Sequence, residues 1–127
     1  MECALRLNAL VFDSITFKRL GMHSENNLEV SFSVRIGVNQ ADPDNKKVTV
    51  TILGDKKEEY SFEIQASGFF SYEGGADDAI IQQNAVAIVM PYIRSEVSIL
   101  TAQPGVEPVV LPPFNIAEMM KKNNRDK

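Results

Sequence analysis

The chain is poor in the residues that carry most catalytic and cofactor chemistry. Its 127 residues include one cysteine, one histidine and no tryptophan. Cys3 has no second cysteine with which to close a disulfide, which fits a reducing compartment. A zinc site of the usual kind needs several His or Cys ligands, more than Cys3 and His23 supply. Cys3 has no base beside it in the sequence, and His23 lies in a polar loop, so neither reads as nucleophile or general base. No apolar run reaches the roughly 18 residues that a bilayer-spanning helix needs. The N-terminus lacks a basic segment followed by an apolar stretch, so no signal peptide is expected and the cytoplasm is the expected compartment. Positive charge is also scarce: the formal net charge is −4 and the pI about 5.0, which argues against a nucleic-acid partner. The one basic cluster, Lys121, Lys122, Arg125 and Lys127, reads as a solvated end.

Ligand loops are incomplete too. Asp42, Asp44 and Asn45 are spaced like part of a calcium loop, but Pro43 intervenes and the distal glutamate is missing, so this is a turn. Gly74-Gly75 lacks the lysine and spacing of a phosphate loop, and Asp77-Asp78 is sufficient as a helix cap. No metal, no cofactor and no enzymatic activity are expected. A small α+β enzyme would need a catalytic constellation that these residues do not supply.

Periodicity is what the sequence does have. Leu28, Val30, Phe32, Val34, Ile36 and Val38 alternate with Glu29, Ser31, Ser33 and Arg35, a half-buried strand. Val48, Val50 and Ile52 give a third strand, and Tyr60, Phe62, Ile64 and Ala66 a fourth. The first strand is less regular. Leu5, Leu7, Ala9, Val11, Ile15 and Phe17 share one parity, Asp13 interrupts it, and Leu10 and Phe12 fall on the other face. That predicts a bulge or bend near Asp13, or a strand covered on both sides. Short polar turns predict that sequence neighbours pair antiparallel. From about Asp77 to Thr101 the period changes to helical, with Ile81, Ala85, Ile88, Tyr92 and Val97 recurring and Ile80, Val89, Ile93 and Leu100 widening the stripe. Pro91 inside it predicts a kink, since the stripe continues in phase beyond it. Gln103-Pro104-Gly105 ends the helix. Val106 to Pro113 is an extended, proline-bearing connector, and Asn115 caps a short helix from Ile116 to about Lys122. The expected fold is one α+β domain over residues 1–127: strands over about 4–71, helices and connector over about 76–122, and a flexible tail at 123–127.

Three local sequences carry a resemblance. Gly68-Phe69-Phe70-Ser71 is similar to a Gly-Ile-Phe-Ser block, Val89-Met90-Pro91-Tyr92-Ile93-Arg94 to Leu-Phe-Pro-Tyr-Ala-Arg, and Leu111-Pro112-Pro113-Phe114-Asn115-Ile116 to Leu-Pro-Pro-Val-Asn-Phe. In this order and at these separations they resemble the SecB family of protein-export chaperones. The resemblance implies a four-stranded antiparallel sheet followed by a long helix, a connector and a second helix. It implies a homotetramer built as a dimer of dimers, without cofactor or chemistry. Its members are holdases that keep unfolded polypeptides in apolar grooves and pass them to the SecA motor for export. Family members also include chaperones dedicated to the antitoxin of a toxin–antitoxin system, which is the alternative reading.

An extended apolar connector cannot bury itself fully on a domain this small. A groove beside it would offer Val109, Val110, Leu111 and Phe114 to clients, with Tyr92, Met119 and Met120 along it; methionine and aromatic side chains suit promiscuous binding. The family's contacts to SecA use acids on the sheet face. Glu63 matches one of them, whereas Ser14 and Lys18 stand where acids are expected, and the short basic tail departs as well, which argues against docking on SecA. The wide helix stripe and the off-face Leu10 and Phe12 exceed what one small sheet can cover. Leu10, Phe12, Ile88 and Tyr92 are therefore the expected subunit contacts.

Overall fold

Alternation along the first half produces strands and the helical stripe produces one long helix. The computed structural model describes residues 4–38, 45–73 and 78–111. Strands β1 (Ala4–Arg19), β2 (Leu28–Val38), β3 (Asn45–Lys56) and β4 (Tyr60–Glu73) precede helix α1 (Asp78–Thr101). The helix runs unbroken through Pro91, which faces solvent. It covers one face of the sheet, and the short helix expected from Ile116 lies outside the described residues.

The sheet order is β1-β4-β3-β2, all antiparallel. This corrects the expectation that sequence neighbours pair throughout. β2–β3 and β3–β4 are such pairs, but β1 and β2 occupy opposite edges. Residues 20–27 join them across the end of the sheet. Three strand spacings are roughly 14 Å, and eight residues reach about 26 Å when extended, so the crossover is well within span. It is held on the β3–β4 turn. Leu20 and Gly21 donate their N–H groups to the Glu59 carbonyl at 2.8 and 3.1 Å. Gly21 passes so close that a Cβ there would lie 2.5 Å from the Glu58 carbonyl oxygen, so only glycine fits.

β1 pairs with β4 through two register shifts, between Leu7 and Ala9 and between Phe12 and Ser14. The irregularity expected near Asp13 is the second of these. The first, at Asn8, changes the face assignment. Paired residues in an antiparallel ladder share a face. Leu10 lies opposite Gly68 and Phe12 opposite Ala66, so both join Leu5, Leu7 and Phe17 on the helix side, packed against the core. Ala9 and Val11 are turned outward instead. One strand has thus switched parity twice, which a strict period of two does not reveal.

The core lies between α1 and the sheet: Val48, Val50, Ile52, Ile64, Ala66 and Phe70 meet Ala85, Val86, Val89, Ile93 and Val97. The buried seam of the helix runs Ile81, Ala85, Val89, Ile93, Val97 and Thr101, a strict i+4 row. Val89 and Ile93, which the sequence places at the margin of the stripe, are its centre. Ile88 and Tyr92 lie on its flank. At the crossover end Phe17, Tyr60 and Phe62 form a stack, with ring centroids 5.2 and 6.3 Å apart. Gly54 leaves room for the Phe62 ring, whose nearest atom would be 2.2 Å from a Cβ at that position.

Candidate peptide-binding surface

After Thr101 the chain turns at Gly105, whose φ of 79° suits glycine, and runs back along α1 as an extended connector. Three helix side chains at successive turns fix it. Thr101 donates to the Val97 carbonyl at 2.8 Å and accepts the Val109 N–H at 2.9 Å. Ser98 donates to the Val109 carbonyl at 3.0 Å. Arg94 donates through Nε and Nη2 to the Leu111 carbonyl at 3.1 and 3.0 Å. Positions 94, 98 and 101 share one side of the helix. An extended strand that lacks a sheet partner is therefore satisfied by side chains. Arg19 adds a bond to the Gly105 carbonyl, tying the turn to β1.

Pinning by the backbone decides which connector side chains remain available. Val106 and Leu111 are buried in the core and Val109 is half-buried against it, whereas Val110 is 80% exposed. Of the four connector residues expected to contact clients, Val110 is open, Val109 marginal and Leu111 inward. Phe114, Met119 and Met120 lie outside the described residues. On the far side of α1, Tyr92 is 48% and Ile99 66% exposed, with Ile88 half-buried. These three sit at i, i+4 and i+11 and form a second apolar stripe along the flank of the buried seam, with Ile88 still packed against the core. Ile99 was not among the expected contacts; its spacing from Ile88 and Tyr92 was the available signal.

The outer face of the sheet carries Glu63, exposed as expected. Register places it opposite Leu53 on β3 and Thr16 on β1. Asp55 lies two positions along β3, directly opposite Glu29 on β2. Glu29 and Asp55 thus enlarge the acidic patch at the crossover end, and only three-dimensional register brings them to Glu63. Lys18 occupies the same row on β1, opposite Ser61.

A charged cluster holds the crossover loop at that end. The Glu59 carboxylate is 2% exposed; its Oε1 accepts the Ser24 N–H at 2.8 Å and faces Lys56 Nζ at 3.0 Å and His23 Nδ1 at 3.5 Å. The bond from Ser24 and then that from Lys56 hold the Glu59 carboxyl below the usual carboxylate range. The bond to Glu59 raises Lys56, and burial pushes the Tyr60 phenol up. Ser24 and Asn26 add bonds to the Lys57 carbonyl. His23 is therefore part of a structural latch. Among the described residues, no group of three or more His, Cys, Asp or Glu side chains is placed to hold a metal ion. No helix among them is long and apolar enough to cross a membrane.

A four-stranded antiparallel sheet backed by one long helix, with a side-chain-stitched connector and open apolar stripes beside it, defines an α+β protein whose prominent surface is apolar and extended. The chain belongs to the SecB family: the family model described as preprotein translocase subunit SecB matches residues 8–127. An uncharacterized protein of Methanocaldococcus jannaschii is 28% identical over 130 residues, covering 94% of this chain and 84% of that protein. The fold is similar to that of the Mycobacterium tuberculosis SecB-like chaperone Rv1957, solved in complex with a ChAD peptide from the HigA1 antitoxin. That match has a TM-score of 0.73 at 15% identity and covers 87% of this chain and 88% of the other. A Streptococcus agalactiae protein of unknown function matches with a TM-score of 0.54 at 11% identity, over 90% of this chain and 100% of that one.

Proposed function

We propose that this protein is an ATP-independent holdase that binds unfolded polypeptide and carries out no chemistry of its own. What carries the reading is the connector of a SecB-family chain, fixed along α1 with Val110 left in solvent. An extended client laid along it would meet Val110 and the half-buried Val109, with Phe114, Met119 and Met120 as further proposed contacts. Tyr92, with Ile88 and Ile99, forms the proposed subunit contact of a tetramer, because an apolar helix stripe left partly in solvent beside the core is stabilised by a like stripe. Leu10 and Phe12 remain proposed contributors through the edge of β1, although their side chains lie on the helix side. The proposed compartment is the cytoplasm. Light scattering of an aggregating client tests the proposal: suppression at stoichiometric amounts without nucleotide is expected, and none would overturn it.

A narrower reading, a chaperone dedicated to one partner such as an antitoxin, draws on two observations. The fold is similar to that of a chaperone solved with an antitoxin peptide, and Ser14 and Lys18 replace acids on β1 that export partners would use. Glu63 is the residue proposed to face SecA if export is the role. Pull-down of a single partner and no unfolded clients would favour the narrower reading.

A further inference from the structure

The outer sheet face, opposite α1, is divided by charge. Its crossover end carries Glu29, Asp55 and Glu63, with Lys18 the one cation in that group, at the β1 edge. Between the two ends the exposed Asp13 carboxylate accepts from Ser67 and Gln65; the far end carries the cations Arg6 on β1, Arg35 on β2 and Lys47 on β3. All three are exposed, and none forms an ion pair among the described residues. Register sets them around one aromatic ring. Lys47 pairs with Phe69, which pairs with Ala9; Arg35 pairs with Thr49, in the row that continues to Ser67 and Val11; Arg6 pairs with Ser71. Phe69 is 38% exposed, and the Lys47 ammonium sits 5.7 Å from its ring centroid. Beside the ring a cavity of about 510 Å³ draws on all four strands, with Asn8, Gly37, Asn45, Lys47 and Phe69 in its lining.

We infer that this end of the outer face is a second binding site, for an acidic stretch of a partner polypeptide that carries a large apolar or aromatic side chain. The apolar group enters the cavity against Phe69, and flanking carboxylates meet Lys47, Arg35 and Arg6. The acidic half of the same face repels such a ligand and fixes where it lies. Gly37 keeps the cavity open. A Cβ there would meet only Lys47, at 3.8 and 3.9 Å, which is ordinary contact, so a larger residue fills the space without disturbing the sheet. The site lies across the sheet from the connector and does not depend on the holdase reading.

Anisotropy of a fluorescein-labelled peptide with aspartates flanking one phenylalanine, added to the full-length protein, tests the inference. Binding is expected, falling steeply with salt. Lys47→Glu and Arg35→Glu should each weaken it roughly tenfold, as attraction becomes repulsion at a partly exposed site. Gly37→Val should weaken it at unchanged Tm, and Glu63→Gln should leave it unchanged. Equal affinity for a peptide with serines in place of the aspartates would overturn the inference, since the apolar client surface would then account for the binding. Equal loss in Glu63→Gln and Lys47→Glu would overturn it too. So would a concentration-dependent doubling of mass abolished by Lys47→Glu, which would assign the face to a second copy of the chain.

Discussion

The Lys56 ammonium lies 3.0 Å from Oε1 of Glu59, a carboxylate shut away from solvent where the β1–β2 crossover passes over the β3–β4 turn. The same oxygen accepts the Ser24 N–H from the crossover. One buried charge therefore holds two loops together. Because the Glu59 value is lowered on folding, its contribution is fully present above the ordinary carboxylate value. It is lost as pH falls through the lower, folded value. Lys56, raised on folding, contributes up to its ordinary ammonium value and loses that contribution only in strong alkali. The latch should hold across the neutral range and open in acid. Glu59→Gln should lower Tm at neutral pH and flatten the acid limb of the stability profile; an unchanged acid limb would exclude this role.

Thr101 supports the connector at its first contact. It is fully buried, donating to Val97 and accepting from Val109. Thr101→Val keeps the volume and leaves the Val109 N–H without its partner, which costs about 1–3 kcal/mol. Denaturant unfolding should show that loss, and hydrogen exchange should speed at Val109 while the β3–β4 ladder stays protected.

Phe62 lies over the bare Cα of Gly54. Any side chain at that position displaces the ring, so Gly54→Ala should destabilise by about 1–3 kcal/mol through overpacking. Near-ultraviolet circular dichroism should lose intensity as the Phe17–Tyr60–Phe62 stack is disturbed.

The outward stripe of α1 makes a different prediction. Ile99→Asp and Tyr92→Asp remove no core contact, so each monomer should keep its fold by circular dichroism. Sedimentation should show the proposed tetramer replaced by smaller species at micromolar concentration. A tetramer that survives both substitutions would exclude this stripe as the subunit contact.

Much of this fold was legible because period and burial agree. The alternation of β2, β3 and β4, the helical stripe ending at Thr101 and the extended connector all follow from where apolar residues recur. β1 was harder to read. Bulges at Asn8 and Asp13 shift its parity twice, which makes Leu10 and Phe12 look outward when they face the core. The strand order was hidden for a related reason, since nothing local tells residues 20–27 to cross two strands rather than turn. Connector exposure was predicted as a block. In the structure it is sorted residue by residue, because Arg94, Ser98 and Thr101 fix the backbone and thereby choose which side chains turn inward. The acidic patch and the basic end of the outer face are products of register, which joins residues far apart in the chain.

The crossover also sets the order of events in time. β1 is made first but pairs last in sequence terms, Ala4 with Glu73 and Arg19 with Tyr60. During synthesis β1 therefore emerges with its Leu and Phe residues unpaired and waits until β4 has left the ribosome. The local β2–β3–β4 meander closes shorter loops and should form sooner. Pulse-labelled hydrogen exchange during refolding should find the β3–β4 ladder protected before the β1–β4 ladder. A chain proposed to shelter unfinished polypeptides thus begins its own life as one.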